Sequence, residues 1–351
     1  MNPLYPTNNF NFMRIAAAAM VIITHTYVLT GLGIEHDILY KLTGGELLIS
    51  TFGLRIFFVI SGFLITQSME RSSYGSYVLK RILRIFPGLI VCILLTIFVL
   101  GPLFTTNTLH HYFQQEETWT YLKNCSIYTI QLELPGVFEQ TPEHVVNGSI
   151  WTLAYEFSYY IMILLLSLIG LFKHKWMAFI IFFVFLLLQL WTNYDTVPSK
   201  FFYFLMHTHL QLDHFSDFGL YFTVGALFYL YRNNITYSHT IAAVMLLCYV
   251  VGILIHLPWL TKYIALPYII MYIGFIPKNT LITNWGKNGD LSYGIYIYGM
   301  PVQQSVILLT GLSLQADLIS LISFIIVLPI AWLSWHLIEK KAMILKKKVQ
   351  L

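Results

Sequence analysis

The chain has 351 residues, 57% of them hydrophobic, 17% aromatic and only 10% charged, with a mean hydropathy of +0.69. That balance excludes an ordinary soluble globular domain and describes a polytopic, all-α integral membrane protein. A formal net charge of +4 is too modest for a nucleic-acid binder, and Cys92, Cys125 and Cys248 are scattered without disulfide or zinc spacing, so they read as small packing residues.

In chain order, apolar windows of spanning length are expected near residues 10–32, 47–67, 82–104, 148–170, 176–192, 216–232, 239–256, 259–276, 290–312 and 315–338. They make a bundle of about ten transmembrane helices. Two shorter apolar runs, Tyr121 to Leu132 and Phe201 to Leu212, read as interfacial or re-entrant pieces. The first window has no charge before Arg14 and runs past signal-peptide length, so a retained span is expected, not a cleaved leader.

Residues 1–351 form a single domain, with 105–147 as its one long loop, a folded cap or acceptor-side surface, and 339–351 as a basic tail. With the N-terminus inside, the inner segments hold Arg71, Lys80, Arg81, Arg84, Lys173, Lys175, Arg232, Lys278, Lys287 and the tail lysines. The outer ones hold only Lys41, Lys123, Lys200 and Lys262. By the positive-inside rule both termini face the cytoplasm and the 105–147 loop is extracytoplasmic.

Arg14 and His25 stand eleven residues apart in the first window, a step that returns to the same helix face about 16 Å along the axis. An ionisable group at that depth is costly and marks a site by default. Glu156, about 12 Å below the outer boundary of the fourth window, reaches the depth of His25. A carboxylate on one ring nitrogen would fix the tautomer and leave the other as a base, although a purely structural charge pair has the same composition. Arg81 and Arg84 lie one turn apart at the inner end of the third window. Snorkelling to headgroups explains them alone, whereas with Arg14 at comparable depth three guanidinium forks suit the phosphates of a cytoplasmic donor. A phosphopantetheine arm, as in coenzyme A, spans the gap from such a cluster to His25.

At these residues the chain resembles the acyltransferase family 3 membrane proteins. The likeness rests on FNFMRIAAAAMVIITH with its Arg-x10-His spacing, FFVISGFLIT from Phe57 to Thr66, and the Arg-x-x-Arg pair at Arg81 and Arg84. It continues with SIWTLAYEFSYY from Ser149 to Tyr160, LSYGIYIYGMP from Leu291 to Pro301 and LIEKKA from Leu337 to Ala342. The resemblance implies a bacterial inner-membrane O-acyltransferase that moves an acyl group, most simply acetyl, from acyl-CoA to an extracytoplasmic or lipid-linked carbohydrate. Acyl-CoA is then a donor substrate, no tightly bound cofactor or metal is expected, and the remaining partners are the glycan acceptor and the bilayer, not nucleic acid. It assigns His25 and Glu156 to catalysis and Arg14, Arg81 and Arg84 to donor binding, with Trp151, Tyr155, Ser61 and Tyr293 shaping the substrate pocket.

Gly299 stands where many of those relatives carry a histidine, so that imidazole's role is not transferred. No fused hydrolase-like domain of the kind some relatives carry is expected after the last window. Ser61 and Gly62 suit either a ligand or close helix packing, and Arg55 is expected to snorkel at the outer end of its span. His207, His209, Asp213 and His214 have ligand chemistry but read as an interfacial outer loop, and the Asn147-Gly148-Ser149 sequon reads as structural. Both direct transfer and relay through an acylated residue fit this residue set. The rival function is a proton-coupled transporter or polysaccharide exporter, which also uses intramembrane His and Glu.

Overall fold

The computed structural model describes residues 8–194, 210–257, 261–275 and 289–349. Lys200, His207, His209, Lys278, Lys287 and nearly all of the 201–212 run lie outside the described residues. Among the described residues every regular element is helical, and β pairing is confined to an isolated bridge between Thr105 and Val137.

Each apolar window contains a helix: α1 (Phe10–Leu29), α2 (Ile49–Glu70), α3 (Tyr74–Leu95), α4 (Thr152–Leu168), α5 (Met177–Tyr194), α6 (Leu212–Leu230), α7 (His239–Leu254), α8 (Ala265–Phe275), α9 (Ser292–Thr310) and α10 (Ala316–Ser334). Among the described residues five helical stretches are long and apolar enough to cross a membrane: Phe10–Leu29, Ile49–Glu70, Tyr74–Phe104, Ser149–Leu168 and Ala316–Leu345. Three shorter apolar helices, Met177–Thr192, His239–Leu254 and Ala265–Phe275, accompany them.

Two boundaries differ from expectation. The third window begins at Tyr74, two turns early, so Arg81 and Arg84 sit within α3 instead of at its end. Hydropathy misses those turns because they are polar, yet Tyr77 is 1% exposed and its hydroxyl donates to the Tyr160 carbonyl (2.9 Å). The basic tail is also helical: α10 widens into a π turn at Trp335–Glu339 and continues through Lys340–Val349. The 121–132 run is a 3₁₀ segment, Tyr121–Ser126, that leads into irregular backbone.

The chain divides into two compact units. Unit 1 comprises Met1–Arg14, Leu54–Tyr77 and Ala154–Asn288. Its core is aromatic, with Phe58 stacked on Phe218 at 4.4 Å and Tyr159 packed against Phe58, Phe185, Phe215 and Phe222. Here α2 and α6 cross with backbones nearly touching. A Cβ on Gly62 would fall 1.9 Å from the Phe222 carbonyl oxygen, and one on Gly225 would fall 2.1 Å from that of Val59. Gly62 is therefore a helix-packing residue, the second of the two roles open to it.

Unit 2 comprises Ile15–Gly53, Val78–Leu153 and Gly289–Leu351. Its apolar cluster joins Leu29, Met300, Val306, Ile307 and Ile319. Polar groups inside it are answered in pairs, as a low-dielectric setting requires. The Gln303 amide donates to the Ile22 carbonyl (2.8 Å) and Thr26 (2.6 Å), and Ser320 donates to Thr26 (2.9 Å). Asp37 is fully buried: it accepts from Thr24 (2.6 Å) and caps the short helix Ile38–Leu42 through the Leu39 and Tyr40 amides.

The 105–147 loop belongs to unit 2 and is folded. Tyr112, fully buried, donates to the Ile97 carbonyl (3.1 Å), and burial pushes its hydroxyl pKa up to about 12. At the loop's end Asn147 is 2% exposed and donates to the Ile297 carbonyl (2.8 Å), so the sequon ties the loop to α9, in line with its structural role.

Candidate active site

The continuous helix α1 carries both Arg14 and His25. His25, half-buried in unit 2, has the Ser149 hydroxyl 3.5 Å from its Nδ1. Ser149 opens the 3₁₀ turn Ser149–Trp151 that leads into α4 and is itself 2% exposed. No described residue bonds the other ring nitrogen, Nε2. An Nδ1–H donated to Ser149 Oγ leaves Nε2 as the acceptor, the form a general base needs. Trp151 is half-buried in the same turn, and the next residue, Thr152, bonds the Tyr296 hydroxyl. A Cβ on Gly299 would lie 3.3 Å from Ile22 Cγ1, so α1 packs closely against α9 at this glycine.

Glu156 belongs to unit 1 and has its own support. Its Oε1 accepts from Ser61 Oγ at 3.0 Å and from the Tyr160 hydroxyl, two donors that fix the carboxyl group in place. Ser61, expected to line the pocket, thus holds the acid, and Tyr160 was legible only as the i+4 neighbour of Glu156. Tyr155 is 1% exposed, accepts from the Gln211 amide (2.8 Å) and packs edge-on to Phe218 at 5.7 Å. Arg14 places its guanidinium over the Phe57 ring at 5.8 Å. His214 stacks on Phe218 at 5.8 Å, and among the described residues no group of three or more His, Cys, Asp or Glu gathers as a metal site.

In unit 2 the arginine pair divides. Arg81 is half-buried on α3. Arg84 is clamped: it pairs with Asp290 at 2.6 Å and with Glu339 at 3.0 Å, over the rings of Tyr293 (5.3 Å) and Trp335 (5.7 Å). Glu339 is 1% exposed and also accepts from Ser334 (3.0 Å), an arrangement delivered by the wide π turn. Tyr293, expected in the pocket, is buried and donates to the Ile85 carbonyl (2.7 Å). Three sequence strings that looked independent, around Arg84, Tyr293 and Glu339, meet in one ion cluster. Asp290 was missed because an acid just before a helix reads as an ordinary N-terminal charge. Arg55 is not snorkelling: it is 7% exposed, with its guanidinium 5.3 Å from the Tyr221 ring centroid.

The folded loop carries an open cavity of about 590 Å³ whose polar lining includes Gln115, Glu117, Gln131, Glu133, Glu139 and His144. Glu139 is tied to Thr106 (2.7 Å) and Gln131 to the Glu117 and Glu133 carbonyls (2.8 and 3.0 Å), so part of that lining is held in place.

Comparison with known proteins places the chain in a family. A family model described as an acyltransferase domain, of the acyltransferase 3 type, matches residues 7–336. The chain is 30% identical over 348 residues to an O-acetyl transferase of Shigella phage Sf6, covering 96% of each chain. It is 34% identical over 165 residues to nodulation protein 10 of Rhizobium leguminosarum bv. viciae, covering 44% of this chain and 42% of that one. No solved structure matches. The match along nearly its whole length makes this chain a member of the acyltransferase 3 family and an acyltransferase enzyme, O-acetyl transfer being the activity named for its full-length relative.

Proposed function

We propose that the enzyme moves an acetyl group from cytoplasmic acetyl-CoA to a hydroxyl of an extracytoplasmic or lipid-linked carbohydrate. The observation that carries this is His25: one ring nitrogen faces Ser149 and the other is left for substrate, in the same unit as the polar loop cavity that leads by chain continuity into Ser149. His25 Nε2 takes the proton of a sugar hydroxyl as the oxygen attacks the thioester carbonyl. The C–S bond breaks, the imidazolium returns the proton to the departing thiolate, and an acetyl ester and coenzyme A leave. Glu156, held in unit 1 by Ser61 and Tyr160, is the acid that the family resemblance assigns to the same reaction.

Arg81 offers its guanidinium to the donor's phosphates, a role that the family resemblance gives Arg14 as well, while Arg84, already bearing two carboxylates, keeps α3 in register. The cavity lined by Gln131 and Glu133 seats the acceptor, its amides and carboxylates matching sugar hydroxyls and its volume lying in the range of small-molecule sites. About ten spans with both termini cytoplasmic, in a bacterial inner membrane, are supported by a helix in every apolar window and by the Lys and Arg bias.

Reconstituted protein given acetyl-labelled coenzyme A thioester inside and a glycan outside tests this reading. Label on the glycan, lost on substitution of His25, is expected. Movement of unmodified glycan without label transfer would make the protein a transporter.

A further inference from the structure

Unit 1 contains a second polar cluster built from none of the residues assigned above. Arg55 on α2 is 7% exposed, Tyr221 on α6 is fully buried, and Tyr249 on α7 and Tyr263 just before α8 are 7% and 3% exposed. The guanidinium lies over the Tyr221 ring and reaches the Tyr249 hydroxyl. Asp217, one turn before Tyr221, is the cluster's acid. Its Oδ1 accepts from the Tyr263 hydroxyl at 2.6 Å and from Lys262 Nζ at 3.3 Å, so its ion pair is with Lys262.

Among the described residues the cluster's carboxylate bonds Lys262 and Tyr263, and no carboxylate lies within ion-pair distance of Arg55. Arg55 Nε and the Tyr221 hydroxyl are moreover buried with no hydrogen-bond partner among the described residues. Native interiors rarely leave such groups empty-handed, and each one calls for a specific explanation. Arg55 Nε–H, Tyr221 O–H and the Lys262 ammonium are all donors, so what complements them is an anion rich in acceptor oxygens. Lys262 falls at a window end that the charge bias assigns to the outer membrane face, and Arg55 lies about 12 Å inside its own window on that same side, within reach of a phosphoryl group that enters from there.

We propose that Arg55, Tyr221 and Lys262 form a binding site for a phosphoryl oxyanion. Its source is an anionic phospholipid headgroup, the pyrophosphate joining a carrier lipid to a glycan, or free phosphate, and only the second of these rests on the proposed acceptor class.

The test uses the purified full chain in a phosphate-free maltoside detergent, with neither acetyl-CoA nor glycan present, so that its outcome is independent of acyl transfer. Binding and thermal unfolding are measured with inorganic pyrophosphate, dioleoylphosphatidylglycerol, farnesyl pyrophosphate and, as control, dioleoylglycerol. At least one phosphoryl probe is expected to bind and raise the unfolding temperature where dioleoylglycerol does not, and the probe that does so identifies the source. Tyr221→Phe removes one donor without changing shape. It is expected to unfold no earlier than wild type in the absence of probe and to bind the probe about tenfold or more weakly, the loss of one hydrogen bond to a charged group. Arg55→Gln is expected to abolish binding. The proposal is overturned if no phosphoryl probe outperforms dioleoylglycerol, or if Tyr221→Phe binds as tightly as wild type.

Discussion

Arg84 and Arg55 are both sequestered arginines on apolar helices, each stacked on tyrosine, yet their surroundings are opposite. Arg84 meets two carboxylates within 3.0 Å, one of them 1% exposed. Arg55 meets phenols, and the nearby carboxylate is bonded to Lys262 and Tyr263. Burial of a charge therefore says little until the opposite charges within bonding range are counted. An answered cation is a clamp; a cation with an open donor is a place where something binds. His25 is likewise only half answered, one ring nitrogen facing Ser149 and the other, an acceptor in the general-base form, with no bond from a described residue.

The sharpest way to break this contrast is at His25. His25→Ala is expected to lower acetyl transfer by at least about a hundredfold, the loss of a general base, with thermal unfolding unchanged. Transfer at the wild-type rate would place His25 among the answered groups. Next in size is the arginine pair. Arg84→Met removes a cation bonded to both Glu339 and Asp290 and is expected to cost about 3–5 kcal/mol in unfolding free energy. Arg55→Met removes a charge that no carboxylate bonds directly and is expected to change stability by less than about 1.5 kcal/mol. Equal losses in the two variants, measured by denaturation in detergent, would erase the distinction.

The helices were legible in the sequence because hydropathy reports what a bilayer demands, and each apolar window contains a helix. Tyr74 to Tyr77 escaped that signal, since the start of α3 is tied down by a tyrosine bonded to a distant carbonyl, a contact that hydropathy does not report. Motif strings marked His25, Glu156 and Arg84, but not what touches them. Ser149, Asp290 and Glu339 come from segments far apart in the chain, and no period or spacing announces a contact over 124, 206 or 255 residues. Arg55 shows the converse: an arginine near a helix end looks like a snorkelling charge until three tyrosines and Asp217 are found around it.

The smallest expected effect, at Ser149, distinguishes two orientations of the catalytic imidazole. At 3.5 Å the Ser149 hydroxyl makes a long, weak contact with His25 Nδ1. If it orients the ring, Ser149→Ala costs about 1 kcal/mol in the barrier, roughly a fivefold fall in kcat with the KM for acetyl-CoA unchanged. Because the ring then loses the partner of its Nδ1–H, the pH profile of kcat also shifts, a change that a mere packing defect at this buried position does not produce. If Ser149 only packs against the ring, Ser149→Ala leaves kcat and its pH profile where they were. Glu156→Gln tests the acid apart from Ser149, and Ser61→Ala, which strips one donor from Oε1, follows it in direction with a smaller amplitude. An unchanged pH profile in Ser149→Ala therefore ends the orienting role of this hydroxyl.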